Sequence, residues 1–560
     1  MNFRKILSLL LAAVMLLSVS VSLADMTGDE YAAAANVVTD LAASYEGKTV
    51  ILHTNDVHGA LEGYAYITAL KNEFASRGAE VILVDCGDFS QGSTYVSLFK
   101  GASAVEMMNM AGYDVVTLGN HEFDYGYAKL MENLSAAEFK PICCDVILDE
   151  TGAPILDPTY VLVLENGLKI GFVGVETPET ATKVNPGLIS EIHFAAFDEL
   201  YTCIQEAVDG VKEASDLVIG LFHLGVDAES AVNGYRSVDV LAKVNGIDFV
   251  LDGHSHTVMT AGENGEKIQS TGTAFAYIGV VVIDNETKAV EDNFLVPTTQ
   301  GIYTLAKVES VSAAALALIN DVNERYGKVF ATSEVALNGD RAPGNRTMET
   351  NLGDLITDAM VWSVIKEGGF EQDEIYQVVG ITNGGGIRAA IPAGDVTMKM
   401  INTVLPFGNT VTVVYVTGAE ILEALEASTF CTPDAVGGYP QTSGIDWTLD
   451  TTKPYDQGAV YTLDGKETSY FGPASIQRVT INAINGQPFD PEAVYAVVTN
   501  NFCSAGGDTY NVFANSGNSY DTSIPMDEAL IDYITVELGG VIPATYAEPR
   551  GNAVQILAAE

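Results

Sequence analysis

The sequence predicts an α/β fold, on the evidence of its apolar runs and the helical stretches between them. From residue 49 to about 296, short uninterrupted apolar runs alternate with segments of helical periodicity. Such runs are typical of strands covered on both faces, and intervening helices favour a largely parallel sheet. The runs lie at 50–52, 81–84, 115–116, 169–173, 217–222 and 249–251, and the main helices at 66–76, 104–110 and 196–213.

A further helix is predicted at 310–326, where apolar residues recur at the i, i+3 and i+4 spacing. The region behind it, about 332–556, has a helix near 351–366 and many strand-like segments, which indicates a smaller mixed α/β domain. We therefore expect one domain at 48–308 and a second at 331–560. The helix within 309–330 is interpreted as the linker between them.

The composition is strongly acidic and limits the partners of the protein. Among 560 residues, 27 are Lys or Arg and 74 are Asp or Glu, which gives a formal charge of −47. This charge excludes electrostatic coating of nucleic acid or of an anionic membrane. Any phosphate ligand must therefore be bound through local positive charge, such as metal ions or clustered arginines. The 6 cysteines are too few for a disulfide scaffold, and their pairing is left open.

The first residues have the pattern of a secretory signal. Arg4 and Lys5 precede an apolar run, 6–17, and the small-residue end Ser22-x-Ala24 follows. We expect a signal peptide at 1–24 and a secreted, periplasmic or cell-surface protein, with an uncleaved anchor helix as the alternative. Residues 25–47 form an Ala-rich segment of unknown role. No second apolar run is long enough to span a bilayer, so no stable membrane span is expected after cleavage.

Polar residues follow five of the apolar runs, at the strand ends where α/β sheets form their ligand crevices. They are Asp56 and His58, Asp88, Asn120 with His121 and Asp124, His223, and the pair His254 and His256. An isolated Asp-x-His or Gly-Asp is more often a turn or a helix cap. The distribution of histidine argues otherwise, because all 7 lie between residues 53 and 256. Asp, His and Asn are ligands for divalent metals.

The second domain offers a different set of residues, arginines and aromatic residues in polar or Gly-rich segments. Arginine suits phosphate oxygens, and aromatic faces can stack on a base. Individually, each arginine could be a surface ion-pair partner and each aromatic residue part of the core. The candidates are Arg341, Arg346, Arg388, Phe407, Asn409, Phe502 and Asp508.

Taken in order, the N-terminal motifs resemble those of the calcineurin-like metallophosphoesterases. The spellings His53-Thr-Asn-Asp56 and Gly119-Asn-His-Glu-Phe-Asp124 are similar to the 5′-nucleotidase family in particular. The resemblance implies an N-terminal sandwich of two sheets flanked by helices, and a site for two divalent ions, Zn, Mn or Co. One ion would be held by Asp56, His58, Asp88 and His256, and the other by Asp88, Asn120, His223 and His254.

The same resemblance implies roles for the remaining candidates. His121, oriented by Asp124, would stabilise the attacked phosphoryl group and assist the leaving oxygen. In the second domain, the three arginines would grip phosphate, while Phe407 and Phe502 would sandwich a base. Asn409 would contact the base, and Asp508 would bind ribose hydroxyls. Four residues separate Arg341 from Arg346, whereas three are common in relatives. The direction in which the Arg346 side chain points is therefore left open.

These observations lead us to expect an exported two-metal phosphohydrolase of the 5′-nucleotidase type, which releases phosphate from extracellular nucleotides for nucleoside and phosphate salvage. Its partners would be small nucleotides and not nucleic acid, and its oligomeric state is open. The alternatives with the same machinery are a UDP-sugar hydrolase and a 2′,3′-cyclic-nucleotide phosphodiesterase. The alternative from another class is a nucleotide-binding protein without catalysis.

Overall fold

The fold is known from a computed structural model, which describes residues 41–184, 188–231, 233–298, 308–366, 377–463 and 465–557. The predicted signal peptide, 1–24, and most of the segment 25–47 lie outside these ranges. Within them, no helix combines the length and the apolarity needed to cross a membrane.

The N-terminal half contains two six-stranded sheets. In the first, three parallel pairings join the last four strands, and an antiparallel hairpin forms the other edge. Its order is Ala289–Pro297, Tyr277–Asp284, Lys48–Thr54, Glu80–Asp85, Val115–Val116, Lys140–Pro141. The second sheet has parallel strands in its centre and an antiparallel strand at each edge. Its order is Val258–Met259, Ile268–Thr271, Phe249–Leu251, Leu217–His223, Lys169–Glu176, Thr159–Val163.

The two sheets pack face to face, and this confirms the expected sandwich. Their shared core contains Ile51 and Val84 from the first sheet and Ile219 and Leu251 from the second, all fully buried. The outer face of each sheet is covered by apolar helix residues, which explains why the central strands lack polar alternation. A small third sheet comprises Ala153–Pro154, Val146–Leu148 and Ile192–Phe194.

The helices of this half lie close to their predicted positions. The three main ones are Gly63–Ser76, Ala102–Ala111 and Asp198–Lys212. The shorter helices are Thr94–Ser97, Asn120–Phe123, Tyr127–Leu134, Thr180–Lys183, Ala228–Ala231 and Ser237–Lys243.

The helix predicted at 310–326 is present as Glu309–Tyr326. It packs against Gly63–Ser76 and Ala102–Ala111 on one side and against Met398–Val404 on the other. It therefore contacts both halves of the chain, as a connecting element would.

The C-terminal half is built on a mixed five-stranded sheet with an apolar cluster on each face. The order of this sheet is Pro440–Ser443, Gln377–Asn383, Val494–Asn500, Thr410–Thr417, Ser519–Pro525. Three smaller sheets accompany it. They comprise Gln487–Pro488, Val479–Ile484, Ile445–Asp450 and Ala553–Ile556; Gly394–Thr397, Val329–Ser333 and Val541–Ile542; and the hairpin Gln457–Leu463 with Lys466–Pro473.

Helices cover both faces of the five-stranded sheet, and the predicted helix Asn351–Lys366 packs on one of them. The helix Gly418–Ala427 has a reciprocal cap: the Thr417 hydroxyl accepts from the Glu420 backbone N–H, and the Glu420 carboxylate accepts from that of Thr417. The other helical segments are Gly384–Gly386, Met398–Val404, Asn501–Ser504, Asn511–Asn515, Met526–Asp532, Tyr533–Glu537 and Ala544–Tyr546. All six cysteines lie within the described residues, and none forms a disulfide.

Candidate active site

The parallel strands of the first sheet end level with one another, and this alignment gathers the predicted site. In the first sheet Thr54 pairs with Asp85, which in turn pairs with Val116. The polar loops that follow these strands are therefore delivered to one edge. The second sheet contributes the loops after Leu217–His223 and Phe249–Leu251 at the same place.

The backbone at this edge is unusual, because several predicted metal ligands adopt the left-handed region. L-residues pay a conformational cost there, and such residues cluster at functional sites. The five with positive φ are Asp56 (49°), His58 (47°), Asp88 (63°), His254 (71°) and His256 (55°).

All the predicted metal ligands come together around Asp88. Its Oδ2 lies 3.2 Å from Nε2 of His223 and 3.8 Å from Nε2 of His58. Nδ1 of His254 lies 3.0 Å from Oδ1 of Asn120. The two remaining ligands also meet, because Nε2 of His256 lies 3.4 Å from Oδ1 of Asp56.

The ligand atoms are arranged to bind divalent cations rather than to form hydrogen bonds with one another. Nε2 of His58 and Nε2 of His256 lie 3.1 Å apart, an arrangement that brings two ring nitrogens face to face. Nε2 of His223 is buried, and Oδ2 of Asp88, 3.2 Å away, is not aligned for a hydrogen bond to it, while its Nδ1 lies 2.6 Å from the Cys86 carbonyl oxygen. Burial lowers the pKa of His256 to about 4 and that of His58 well below its usual value, which favours neutral, metal-binding rings.

Two glycines make this close approach possible. A Cβ on Gly119 would lie 2.4 Å from Oδ1 of Asp88 and 2.7 Å from Cε1 of His223. A Cβ on Gly253 would lie 2.8 Å from Nδ1 of His223 and 3.0 Å from Oδ2 of Asp56. The glycines of the Gly-Asn-His-Glu and Asp-Gly-His motifs thus leave room for the ligands.

Glu122 joins two of the ligand loops, a role that the sequence reasoning missed. Its carboxylate accepts backbone N–H groups from Gly119, Asp88, Phe89 and Ser90, at 2.7, 2.8, 3.0 and 2.9 Å. Burial, together with the nearby Asp88 charge, raises the pKa of Glu122 to about 7. The only signal in the sequence was its place in the Gly-Asn-His-Glu motif.

The structure places His121 and Asp124 as a pair beside the cluster. Nδ1 of His121 lies 2.7 Å from Oδ2 of Asp124, and Nε2 lies 4.0 Å from Oδ2 of Asp88. The His121 ring stacks on Phe407 of the C-terminal half, with centroids 5.6 Å apart and planes at 22°. Burial raises the pKa of the Asp124 carboxyl above its usual value.

A single cavity joins the cluster to the C-terminal half. Of the predicted ligands, Asp56, His58 and His223 lie behind its wall. All the other predicted site residues line it: Asp88, Asn120, His121, Asp124, His254, His256, Arg341, Arg346, Arg388, Phe407, Asn409, Phe502 and Asp508.

The arginines give the cavity a cationic wall opposite the ligand cluster. Burial lowers the pKa of Arg388, and Arg341 adds to the effect, so the two guanidinium groups lie close enough to repel each other. The guanidinium carbon of Arg388 lies 5.8 Å from the Phe407 ring centre, and Arg341 is 3.6 Å from Asp227 of the N-terminal half. An anion in the cavity would relieve the repulsion between the arginines.

The cavity is also lined by residues to which the sequence analysis gave no role, including Lys183, Asp227, Asn383 and Asn501. Asn383 and Asn501 begin the segments that contain Arg388 and Phe502, whereas Lys183 and Asp227 belong to no candidate segment. His53 belongs to neither predicted ligand group and does not line the cavity; its Nε2 lies 2.8 Å from Oε1 of Gln269.

A sandwich of two sheets with a buried His/Asp cluster at its edge, facing arginines across one cavity, defines a metal-dependent phosphoester hydrolase. Comparison with known proteins agrees. Residues 49–258 match the calcineurin-like phosphoesterases, whose domain implies a dinuclear divalent-metal site, and residues 329–515 match the 5′-nucleotidase C-terminal domain. The chain therefore belongs to the 5′-nucleotidase family of calcineurin-like phosphoesterases.

Individual relatives cover most of the chain. It is 30% identical over 525 residues to the trifunctional nucleotide phosphoesterase protein YfkN of Bacillus subtilis, a match to 84% of this chain and 33% of that protein. It is 26% identical over 575 residues to protein UshA of Escherichia coli, with 92% of this chain and 96% of UshA covered. The chain thus spans about a third of the length of YfkN and nearly all of UshA.

A solved structure supports the fold. The crystal structure of a 5′-nucleotidase precursor from Thermus thermophilus superposes with a TM-score of 0.74 at 26% identity. The superposition covers 91% of this chain and 100% of that one.

Proposed function

We propose that the chain is an exported 5′-nucleotidase that releases phosphate from extracellular nucleotides and so makes nucleosides and phosphate available for uptake. One observation carries the proposal. A single cavity is lined by four of the predicted metal ligands, the three arginines, and both aromatic residues. Hydrolysis of a phosphate ester that carries a base requires metal ligands, phosphate-binding arginines and aromatic rings for the base in the same site.

The residues of the chain divide the work between them. When bound, Zn, Mn or Co ions would activate water and neutralise phosphoryl oxygens. Arg341, Arg346 and Arg388 hold the phosphate through charge-assisted hydrogen bonds. The aromatic rings of Phe407 and Phe502 hold the base, and Asp508 accepts hydrogen bonds from the sugar hydroxyls.

We assign His121 the role of donating a proton to the leaving oxygen. Its Nδ1–H donates to Asp124 at 2.7 Å, so Nε2 is the nitrogen available to the substrate. With the Asp124 carboxylate beside it, the ring can carry a second proton on Nε2 and donate it to the phosphoryl or leaving oxygen.

The experiment is a substrate panel on the purified protein. Chelated enzyme is reloaded with Zn, Mn or Co, and product release is measured with AMP, UDP-glucose, 2′,3′-cyclic AMP and glycerol phosphate. We expect the highest kcat/KM with AMP, and no activity with chelator present. The Asp88→Asn variant serves as the inactive control, because Asp88 belongs to both predicted ligand groups.

The other outcomes identify the alternatives. A preference for UDP-glucose or for the cyclic nucleotide would replace the proposed substrate while keeping the machinery. Tight AMP binding without turnover under any of the metals would indicate a nucleotide-binding protein and would refute the hydrolase.

A further inference from the structure

The two ring nitrogens of His254 have different neighbours. Nδ1 faces the ligand cluster, 3.0 Å from Oδ1 of Asn120, and the residue forms a potential ligand group with Asp88 and His223. Nε2 lies 3.0 Å from Oε2 of Glu179. A nitrogen that binds a cation must present its lone pair, so the ring proton belongs on Nε2 and is donated to Glu179.

Glu179 is a buried residue that contacts His254 and Lys183, both of which line the cavity. It directly precedes the one-turn helix Thr180–Lys183, and its side chain is only 1% exposed. Its Oε1 has no hydrogen-bond partner within the described structure. A carboxylate buried to this degree requires a compensating charge, and Nζ of Lys183 supplies one at 3.8 Å.

Lys183 is shared with the C-terminal half. Its Nζ also lies 3.8 Å from Oδ1 of Asp508, while Oδ2 of Asp508 accepts a hydrogen bond from Asn383 at 2.9 Å. The backbone N–H of Asp508 donates to the Thr182 carbonyl oxygen. Lys183, whose side chain is 10% exposed, therefore lies between a carboxylate that contacts a metal ligand and a carboxylate on the substrate side of the cavity.

We propose that Glu179 is a positioning residue for the metal centre, and that Lys183 links it to the substrate side. Glu179 fixes the tautomer and the orientation of His254, so that Nδ1 always faces the cluster. Lys183 balances the charges of Glu179 and Asp508 and sets the position of Asp508. The second part rests on the proposed function, because it takes Asp508 as the sugar-binding residue; the first part does not.

The test of Glu179 is metal binding, which needs no substrate. Chelated protein is titrated with Co²⁺, and binding is followed by the visible absorption of the bound ion and by calorimetry. Outer carboxylates of metal-bound histidines are worth about 10- to 100-fold in metal affinity. We expect Glu179→Gln to weaken one of two Co²⁺ sites by that factor. Glu179→Asp keeps the charge, so its Co²⁺ affinity at that site should lie between those of Glu179→Gln and wild type.

The matched control is Glu191→Gln, which removes an exposed carboxylate of the same half. It is expected to bind Co²⁺ as wild type does. Wild-type affinity of both Co²⁺ sites in Glu179→Gln would overturn the proposal. So would equal weakening of both sites together with a lower melting temperature, because that result assigns Glu179 to the fold alone.

Lys183→Met tests the link to the substrate side. We expect the Co²⁺ site that is weakened in Glu179→Gln to weaken here by a smaller factor, because the Glu179 carboxylate remains but loses its compensating charge. KM for AMP should rise roughly 2- to 5-fold, the worth of a modest ion pair, with little change for glycerol phosphate, and Lys183→Arg should restore it. Equal losses on both substrates would overturn the link. If wild type itself does not hydrolyse AMP, the proposed function fails, while the Co²⁺ titration of Glu179→Gln still decides the first part.

Discussion

At the scale of single residues, His121 and Asp124 make the sharpest prediction, because neither is a predicted metal ligand. We expect His121→Asn to lower kcat by roughly 10²–10⁴ with metal still bound, which is the usual worth of a general acid. Asp124→Asn should reduce kcat less, since the ring keeps its Nε2 and an acceptor for Nδ1 but loses the negative charge 2.7 Å from Nδ1. Steady-state kinetics with metal analysis of each variant provide the measurement.

The competing role for His121 is metal ligation, because its Nε2 lies 4.0 Å from Oδ2 of Asp88 and it can form a ligand group with Asp88 and His58. Loss of metal in His121→Asn, with unchanged kcat per bound ion, would assign the residue to that group. Asp124→Asn would then have no kinetic effect once metal is saturating.

Asp145 makes a prediction about pH. Burial raises its pKa from 3.8 to about 7, and its Oδ2 has no hydrogen-bond partner in the described structure. Between these pH values the folded state binds more protons than the unfolded state, so the free energy of unfolding falls as pH rises. Asp145→Asn removes this titration. We expect its stability relative to wild type to improve by about 2–3 kcal/mol from pH 5 to pH 8.

Urea unfolding of both proteins at the two pH values measures this difference. Oδ1 of Asp145 accepts hydrogen bonds from the Glu176 N–H and the Cys143 thiol, and the Asn oxygen can accept both. A loss of these contacts would shift stability equally at pH 5 and pH 8. An unchanged difference between the two conditions would therefore show that Asp145 does not titrate in this range.

The metal ligands were predictable from the sequence as candidates, because Asp, His and Asn follow buried apolar runs and the chemistry of their side chains is specific. Glu122 and Glu179 were not. Glu122 acts through four backbone N–H groups, and Glu179 through a ring nitrogen far away in the chain. Acidic residues are common in this sequence, and only the folded geometry separates these two from the rest.

At the scale of elements, the loop before His121 depends on Gly119. An alanine Cβ there would lie 2.4 Å from Oδ1 of Asp88, and something must shift to relieve the contact. Overpacking of this kind costs about 1–3 kcal/mol. We expect Gly119→Ala to weaken metal binding, measured by Co²⁺ titration, and to lower the melting temperature.

Gly210→Ala is the matched control for this change. Gly210 lies on the exposed face of the helix Asp198–Lys212, and a Cβ there meets nothing within 4 Å. Alanine is the better helix former, so this variant should gain up to about 1 kcal/mol with unchanged metal binding. Wild-type Co²⁺ affinity in Gly119→Ala would contradict the argument from close packing.

Apolar periodicity predicted the positions of the helices and strands well, but it predicted their first and last residues less well. The strand predicted at 217–222 runs on to His223, a predicted ligand, and the helix predicted from 66 begins at Gly63. The helix predicted from 196 begins at Asp198, because Phe197 has a φ of 52° and lies outside helical geometry. Apolar spacing reports the buried middle of an element, whereas its ends are set by loops that pack elsewhere.

At the scale of the whole molecule, the cavity between the two halves was beyond sequence reasoning. The arginines and aromatic residues were identified as candidates, but their distance from the metal ligands depends on how the halves pack. The stacking of Phe407 on His121 is an example, since it joins residues of different halves. Phe407 is consequently a poor test of base binding, because its removal also disturbs His121.

Phe502 is the better test of whether the two halves cooperate to select nucleotides. It lines the cavity and makes no ring contact with His121 in the described structure, but it is 6% exposed and belongs to an apolar cluster. Phe502→Leu keeps most of the apolar packing and removes the ring face, whereas Phe502→Ala removes both. If the ring stacks on a base, its loss should cost about 1–3 kcal/mol, or roughly 5- to 150-fold in KM for AMP.

Glycerol phosphate provides the comparison, because it offers the same phosphate without a base. Phe502→Leu should therefore narrow the preference for AMP over glycerol phosphate while its melting temperature stays near that of wild type. Phe502→Ala should narrow it by a similar factor and also melt earlier, since a buried ring leaves a cavity. The measurement is kcat/KM for both substrates with a melting curve for each protein. Equal losses on AMP and glycerol phosphate in Phe502→Leu would assign the ring to the core and would remove Phe502 from the residues that select the base.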